Sequence, residues 1–180
     1  MKIYELEFDV DNYKSIELTE NRNADFYQMF DGRSLKEAWD ELTVKYYDED
    51  EGLKTGDAPG FTIPVFNKKS LDILFTKIKN EVEILPLRIG NENLYGINVL
   101  TILDAVNYEK SDYKMFRDGK RIMKFNKISF KDSIIQGKNI FKIVDLKRSL
   151  IFVSEEFKRI VEENGLEGFL FELAWDSSAE

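Results

Sequence analysis

The sequence of 180 residues contains no cysteine and no histidine. Without cysteine there is no disulfide, no thiolate nucleophile and no Cys-ligated zinc or iron–sulfur centre. Without histidine a Ser-His-Asp triad, a His general base and a His-ligated metal are excluded as well. Carboxylates, Lys, Tyr, Ser and Thr are the remaining catalytic candidates, which shifts the expectation from enzyme toward binding protein. Long apolar runs are also missing. Leu150 to Val153 and Ile134-Ile135 fall far short of the roughly 20 residues a membrane span needs. The first residues carry Lys2 and then Glu5, Glu7, Asp9 and Asp11, with no apolar stretch behind them, so neither a signal nor a transit peptide is read and the cytoplasm is the expected location. No phosphate loop is present: Gly52, Gly56 and Gly60 lack the Lys-Ser/Thr that must follow.

What the chain does have is apolar and aromatic mass. Hydrophobic residues make up 43%, with 14 Phe, 8 Tyr and 2 Trp, enough for a packed core and too much for a disordered chain. One domain over residues 1–180 is expected, with a subdomain break possible in the Gly- and acid-rich loop at 48–60.

The formal charge of −8 is unevenly spread. Residues 1–60 hold 7 basic and 16 acidic groups, residues 61–150 hold 17 and 10, and residues 151–180 hold 2 and 8. The basic middle peaks at Lys110, Lys114, Arg117, Lys120, Arg121, Lys124, Lys127 and Lys131, interleaved with Tyr113, Phe116, Phe125 and Phe130. Cations for phosphates and aromatics for bases would suit a nucleic acid. A pI near 4.8 argues against that partner, and solvated strand faces around core aromatics explain the pattern more simply. The densest acidic run is Asp48-Glu49-Asp50-Glu51. It is no calcium loop, because Leu53 stands at the sixth position and Pro59 at the twelfth. It reads either as a solvated loop or as an electrostatic lure for a basic partner. Asp48, Glu49, Asp50 and Glu51 are therefore the candidate partner-binding residues. Carboxylate pairs such as Asp9/Asp11 or Asp48/Asp50 sit in no motif that sets an acid apart from a base. No catalytic residue, metal ligand or cofactor is assigned. Asp57 reads as a turn initiator, and Asp104 as a carboxylate that is partly buried or ends a strand.

The element pattern is α+β, a mixed and mostly antiparallel sheet of about eight strands with about three helices. Lys2 to Val10 alternates as a half-buried strand, and Ser15 to Leu18 follows as a second. Ser34 and Glu37 form a capping-box pattern before a helix with Leu35, Ala38, Trp39 and Leu42 on its apolar face; Thr43 to Tyr47 is a short strand. Ile63 to Phe66 is strand-like, Asn67 is a cap, Leu71, Leu74, Phe75 and Ile78 have helical spacing, and Glu81 to Ile89 is a strand whose Pro86 suggests an edge or a bulge. The same order returns at Leu150 to Val153, with Ser154 as the cap, Phe157, Ile160 and Val161 on a helix face, and Gly168 to Trp175 as a strand. Two strand–helix–strand units are thus expected. Between them lie a hairpin of Glu81–Ile89 with Leu94 to Leu103, a turn at Asp118-Gly119, a bulge near Asn126-Lys127 where apolar parity switches, and a strand at Asn139 to Val144.

A series of short motifs runs through the chain in a familiar order. It comprises Gly32-Arg33-Ser34-Leu35 with Trp39, Asp57-Ala58-Pro59, Pro64-Val65-Phe66, Glu83 to Leu87, Asn98-Val99 with Asp104, Ile140-Phe141-Lys142, Phe152-Val153-Ser154 with Phe157, and Gly165 to Phe169. In order and spacing these resemble the immunity protein 11 family of bacterial polymorphic toxin systems, over about residues 30 to 175. The resemblance implies a non-enzymatic antidote that binds and occludes a cognate toxin domain, made from a neighbouring gene. It carries over no toxin-binding residue, since the motifs read as core, turns and caps. The alternative is a small-ligand or regulatory binding domain.

Overall fold

The computed structural model describes residues 1–20 and 24–179. Twelve strands and three α-helices, including the one-turn α2 (Asp132–Ile135), lie among them, an α+β fold as expected. The strands form two five-stranded sheets and a separate hairpin rather than one sheet. The first sheet has the order β12 (Phe169–Asp176), β1 (Lys2–Phe8), β11 (Phe152–Ser154), β10 (Ile140–Ile143), β7 (Ile102–Leu103). The second has the order β2 (Ile16–Leu18), β3 (Leu42–Tyr46), β5 (Val82–Ile89), β6 (Glu92–Val99), β4 (Val65–Phe66).

Both strand–helix–strand units exist, and they share a construction. In one, β4 leads through α1 (Lys68–Ile78) to β5; in the other, β11 leads through α3 (Glu155–Glu163) to β12. Each helix crosses over an intervening antiparallel strand, β6 in the first unit and β1 in the second. Both predicted caps are present. The Asn67 side chain accepts from the Ser70 amide at 2.9 Å and the Ser154 hydroxyl from the Phe157 amide at 3.1 Å, each satisfying a donor that a helix start leaves free. The two helices pack together between the sheets, where Leu74, Ile78, Phe157 and Val161 meet Leu6, Phe66, Ile97, Val99 and Val153. The opposite face of the second sheet carries Phe26, Phe30 and Leu35 against Val44, Leu85 and Leu87. The opposite face of the first carries Ala105, Val106, Phe130 and Ile135 against Ile3, Phe141, Phe152 and Trp175.

Several local expectations are corrected. No helix follows Ser34; Lys36–Ala38 is a single 3₁₀ turn with no side-chain cap. The Ser34 hydroxyl instead donates to Glu83 at 2.6 Å, and Glu83 also accepts from the amides of Leu35 at 2.8 Å and Lys36 at 3.2 Å. Burial raises the Glu83 pKa, but the hydrogen bonds from Ser34, Leu35, Asn98 and Lys36 outweigh it and hold the carboxyl below its ordinary value. Trp39 packs on Phe26 and Phe30 and donates its indole N–H to Pro86 O at 3.0 Å. Pro86 lies within an interior strand, not at an edge. Pairing between β3 and β5 begins only at Leu87, so the N–H that proline lacks leaves no gap in the ladder.

Asp57 does more than start a turn. Its carboxylate accepts from the Asn67 side chain, Lys69 and the Glu167 amide, each at 2.9 Å, and so joins the 56–60 segment to the start of α1 and the approach to β12. Gly168 completes this junction: a Cβ there would stand 2.5 Å from Ala58 O, which leaves room only for glycine. The bulge falls where parity switched, since β8 (Asp112–Met115) and β9 (Ile122–Lys127) pair Asp112 with Lys127 but Tyr113 with Phe125. Asp104 is exposed and follows β7.

Candidate functional site

The acidic run follows directly on β3. Asp48–Asp50 forms a 3₁₀ turn, and Glu51 closes it. The four carboxylates do not act alike. Asp50 is turned inward, and its Oδ2 accepts from the Ser15 amide at 2.6 Å, tying the turn to the residue just before β2. Asp48, Glu49 and Glu51 are exposed. Lys45 lies 2.9 Å from Glu17 and 3.7 Å from Asp48, so part of the local negative charge is already offset. At this exposure such pairs contribute little to stability.

Beside the turn runs an open groove of about 450 Å³. Ser15 to Leu18 forms one wall, Gly60 to Thr62 another, and Val10, Glu20, Tyr27 and Tyr47 stand along it. Val10, Tyr27 and Tyr47 are exposed in spite of their apolar area. Tyr47 adjoins the acidic run in sequence and could have been read with it. The groove's other walls come from separate segments, which spacing alone does not bring together.

The basic residues of 110–131 are exposed along the β8–β9 hairpin and its flanks. Phe130 is in the core and Tyr113 and Phe125 are half-buried, while Phe116 is exposed with the Arg121 guanidinium over its ring at 4.8 Å. A second groove of about 450 Å³ lies between this hairpin and Val144 to Ser149, with Lys120, Arg121, Lys147 and Arg148 along it. Near it Asp31 accepts from Arg33 at 2.8 Å and stands 3.9 Å from Lys147 and 3.8 Å from Arg148. The Arg33 hydrogen bonds hold the Asp31 carboxyl well below the usual range.

The buried charged groups are tied to the backbone. Glu81 accepts from the amides of Asn139 and Ile140 at 3.1 and 3.0 Å, linking the end of α1 to β10; burial nonetheless raises its pKa above the ordinary value. Lys142, on β10, donates to Phe30 O at 2.7 Å and is only 3% exposed. Burial pushes its pKa down to about 8, against the opposing pull of Asp31. The unfolded chain keeps this proton until about pH 10.5 whereas the folded chain releases it near 8. Unfolding free energy should therefore rise with pH across that window, by at most about 3 kcal/mol. Urea unfolding at successive pH values from 7.5 to 10 measures the slope, and Lys142→Met should flatten it. Among the described residues, no three acidic groups converge to hold a metal ion, and no helix is long and apolar enough to cross a membrane.

Residues 89–176 match the family model described as an immunity protein family, Imm11. This stretch resembles the Imm11 immunity proteins. The similarity read from the motifs is thereby borne out from the end of β5 through β12, just under half of the chain. The Imm11 match takes in Asn98-Val99, Ile140 to Lys142, the Ser154 cap and Gly165 to Phe169; the motifs at 32–87 and the acidic turn lie outside it. A search of curated proteins finds no match to the chain.

Proposed function

We propose that the whole chain is an immunity protein, acting in the cytoplasm without catalysis, which binds a cognate toxin domain of a polymorphic toxin system and occludes it. The Imm11 match over residues 89–176 carries this reading. The disposition of the buried acids is in keeping with it: Asp57, Glu81 and Glu83 each accept from backbone amides and so hold backbone segments together. A complex of ordinary size covers about 1,600 Å². Asp48, Glu49 and Glu51, with the groove beside them, form the surface on which a basic toxin would first be captured, and charge of this kind acts mainly on the association rate.

Co-expression with the toxin domain of the neighbouring gene tests the reading. A stoichiometric complex and restored growth are expected. Changing Asp48, Glu49 and Glu51 together to Lys should leave the melting temperature unchanged while slowing association about ten-fold at low salt, with less effect at high salt. Asp50 is left intact because its carboxylate holds Ser15. A toxin that kills equally with and without the protein, under conditions where both are folded and abundant, would overturn the proposal.

A further inference from the structure

The edge of the first sheet is unusually open. β12 is the terminal strand, eight residues long, and contains neither Lys nor Pro, two devices that commonly keep an edge from pairing. Its only irregularity is the register shift opposite Ile3 and Tyr4, at its far end. The direction of its free groups follows from the ladder. Leu6 donates its amide to Ile151 O, so Tyr4, Leu6 and Phe8 turn their backbone groups toward β11. Glu5 and Glu7 turn theirs toward β12, where they face Glu172 and Leu170. By alternation, Phe169, Phe171 and Leu173 direct N–H and C=O outward, and no backbone partner meets them among the described residues.

The side chains at this edge are of two kinds. On one face Leu173 is 53% exposed beside Phe171, with Lys158 over the Phe171 and Tyr4 rings. On the other, Glu5 and Glu172 are direct cross-strand partners and Glu7 lies next along β1. No cation pairs with these three carboxylates among the described residues. Like charges set opposite each other on one sheet face are destabilising, and Glu5 is held above its ordinary pKa by its burial, by Glu7 and by Glu172. The acidic face also runs on into the groove of the candidate site: Glu5 and Glu7 share a groove of about 300 Å³ with Val10, Gly60, Phe61 and Thr62.

We propose that the open edge of β12 receives an extended segment of the toxin as an added strand, one that alternates basic and apolar residues. Its cations would stand over Glu172 and Glu5, its apolar residues beside Leu173, and its backbone would pair with Phe169, Phe171 and Leu173. The proposal rests on the antidote reading and names the chemistry of the partner. A second copy of this chain is the poorer occupant, because it would add another Glu5, Glu7 and Glu172 to the same sheet face.

The test uses the full chain and the co-purified toxin domain. Hydrogen exchange should show the amides of Phe169, Phe171 and Leu173 protected in the complex and open without it. Leu173→Pro removes an outward N–H without breaking the β1 ladder, and should weaken binding at least ten-fold. Glu172→Lys, which leaves every backbone group in place and relieves the repulsion of Glu5, should do the same with a melting temperature no lower than the parent's. A complex that forms normally with both variants and leaves the three amides open would overturn the edge assignment while the antidote reading stands. Dimerisation of the chain alone through β12 would also overturn it. If no complex forms with the unaltered protein, the antidote reading fails, and this assignment with it.

Discussion

Replacing Glu83 by alanine should lower the unfolding free energy by about 3–5 kcal/mol, one of the largest losses expected from a single substitution in this protein. The side chain is 9% exposed and serves four donors: the Ser34 hydroxyl, the Leu35 and Lys36 amides, and the Asn98 side chain. Alanine takes this acceptor from all four, and only the Asn98 amide keeps another, Arg33 O; the loss falls beside the core on the outer face of the second sheet, where Leu35 is buried. Denaturant unfolding at pH 7 measures the loss, which corresponds to a melting temperature lower by on the order of 10 °C. Glu83→Gln, which keeps the shape and one acceptor, should cost distinctly less. The pH dependence has a fixed sign. The folded-state pKa is depressed, so the stabilisation is complete above the ordinary carboxylate range and is lost as pH falls through the folded value. An alanine variant as stable as the parent would show that the 33–36 segment contributes nothing to the folded state.

Phe130→Ala should be of similar size, about 3–5 kcal/mol. Phe130 is 2% exposed and stands edge-on to three rings, with centroids 5.8 Å from Phe141, 5.2 Å from Phe152 and 5.8 Å from Trp175. Its removal opens a cavity that a close-packed core cannot collapse, and it takes edge-to-face contacts with it. Trp175 is buried and in contact with the deleted ring, so near-ultraviolet circular dichroism should lose intensity before the far-ultraviolet signal changes. Phe130→Leu keeps most of the volume and should cost less than half as much. Equal stability of the alanine variant would mean that the core on the outer face of the first sheet repacks around the gap.

The two substitutions also separate what was legible in the chain from what was not. The caps at Asn67 and Ser154 were legible because a cap involves residues only three apart. The same logic failed at Ser34 and Glu37. Their pattern is as good a capping box, but the hydroxyl is claimed by Glu83, 49 positions on, whose own burial makes it the more demanding acceptor. Pro86 misled in a similar way. Whether proline tolerates a central strand depends on where the neighbouring strand starts to pair, and β3 comes from a different part of the chain. The single expected sheet became two because β1 joins the C-terminal strands, and nothing local in Lys2 to Phe8 names β11 and β12 as partners. In the candidate site the charge of Asp48 to Glu51 was readable, but the inward turn of Asp50 was not, nor was the convergence of Tyr27, Tyr47 and Val10 on one groove.

By itself the sequence determined the α+β class, the two strand–helix–strand units, the exclusion of thiol, imidazole and disulfide chemistry, and the separation of acidic and basic stretches. All of these follow from composition or from contacts within a few residues. The tertiary structure alone decided which carboxylates are spent on the fold and which face outward, that Lys142 is a buried cation, and that β12 ends its sheet with backbone groups free. Each of these depends on segments far apart in the chain, and a residue's burial, charge state and free hydrogen-bonding capacity are set by the neighbours that folding brings to it.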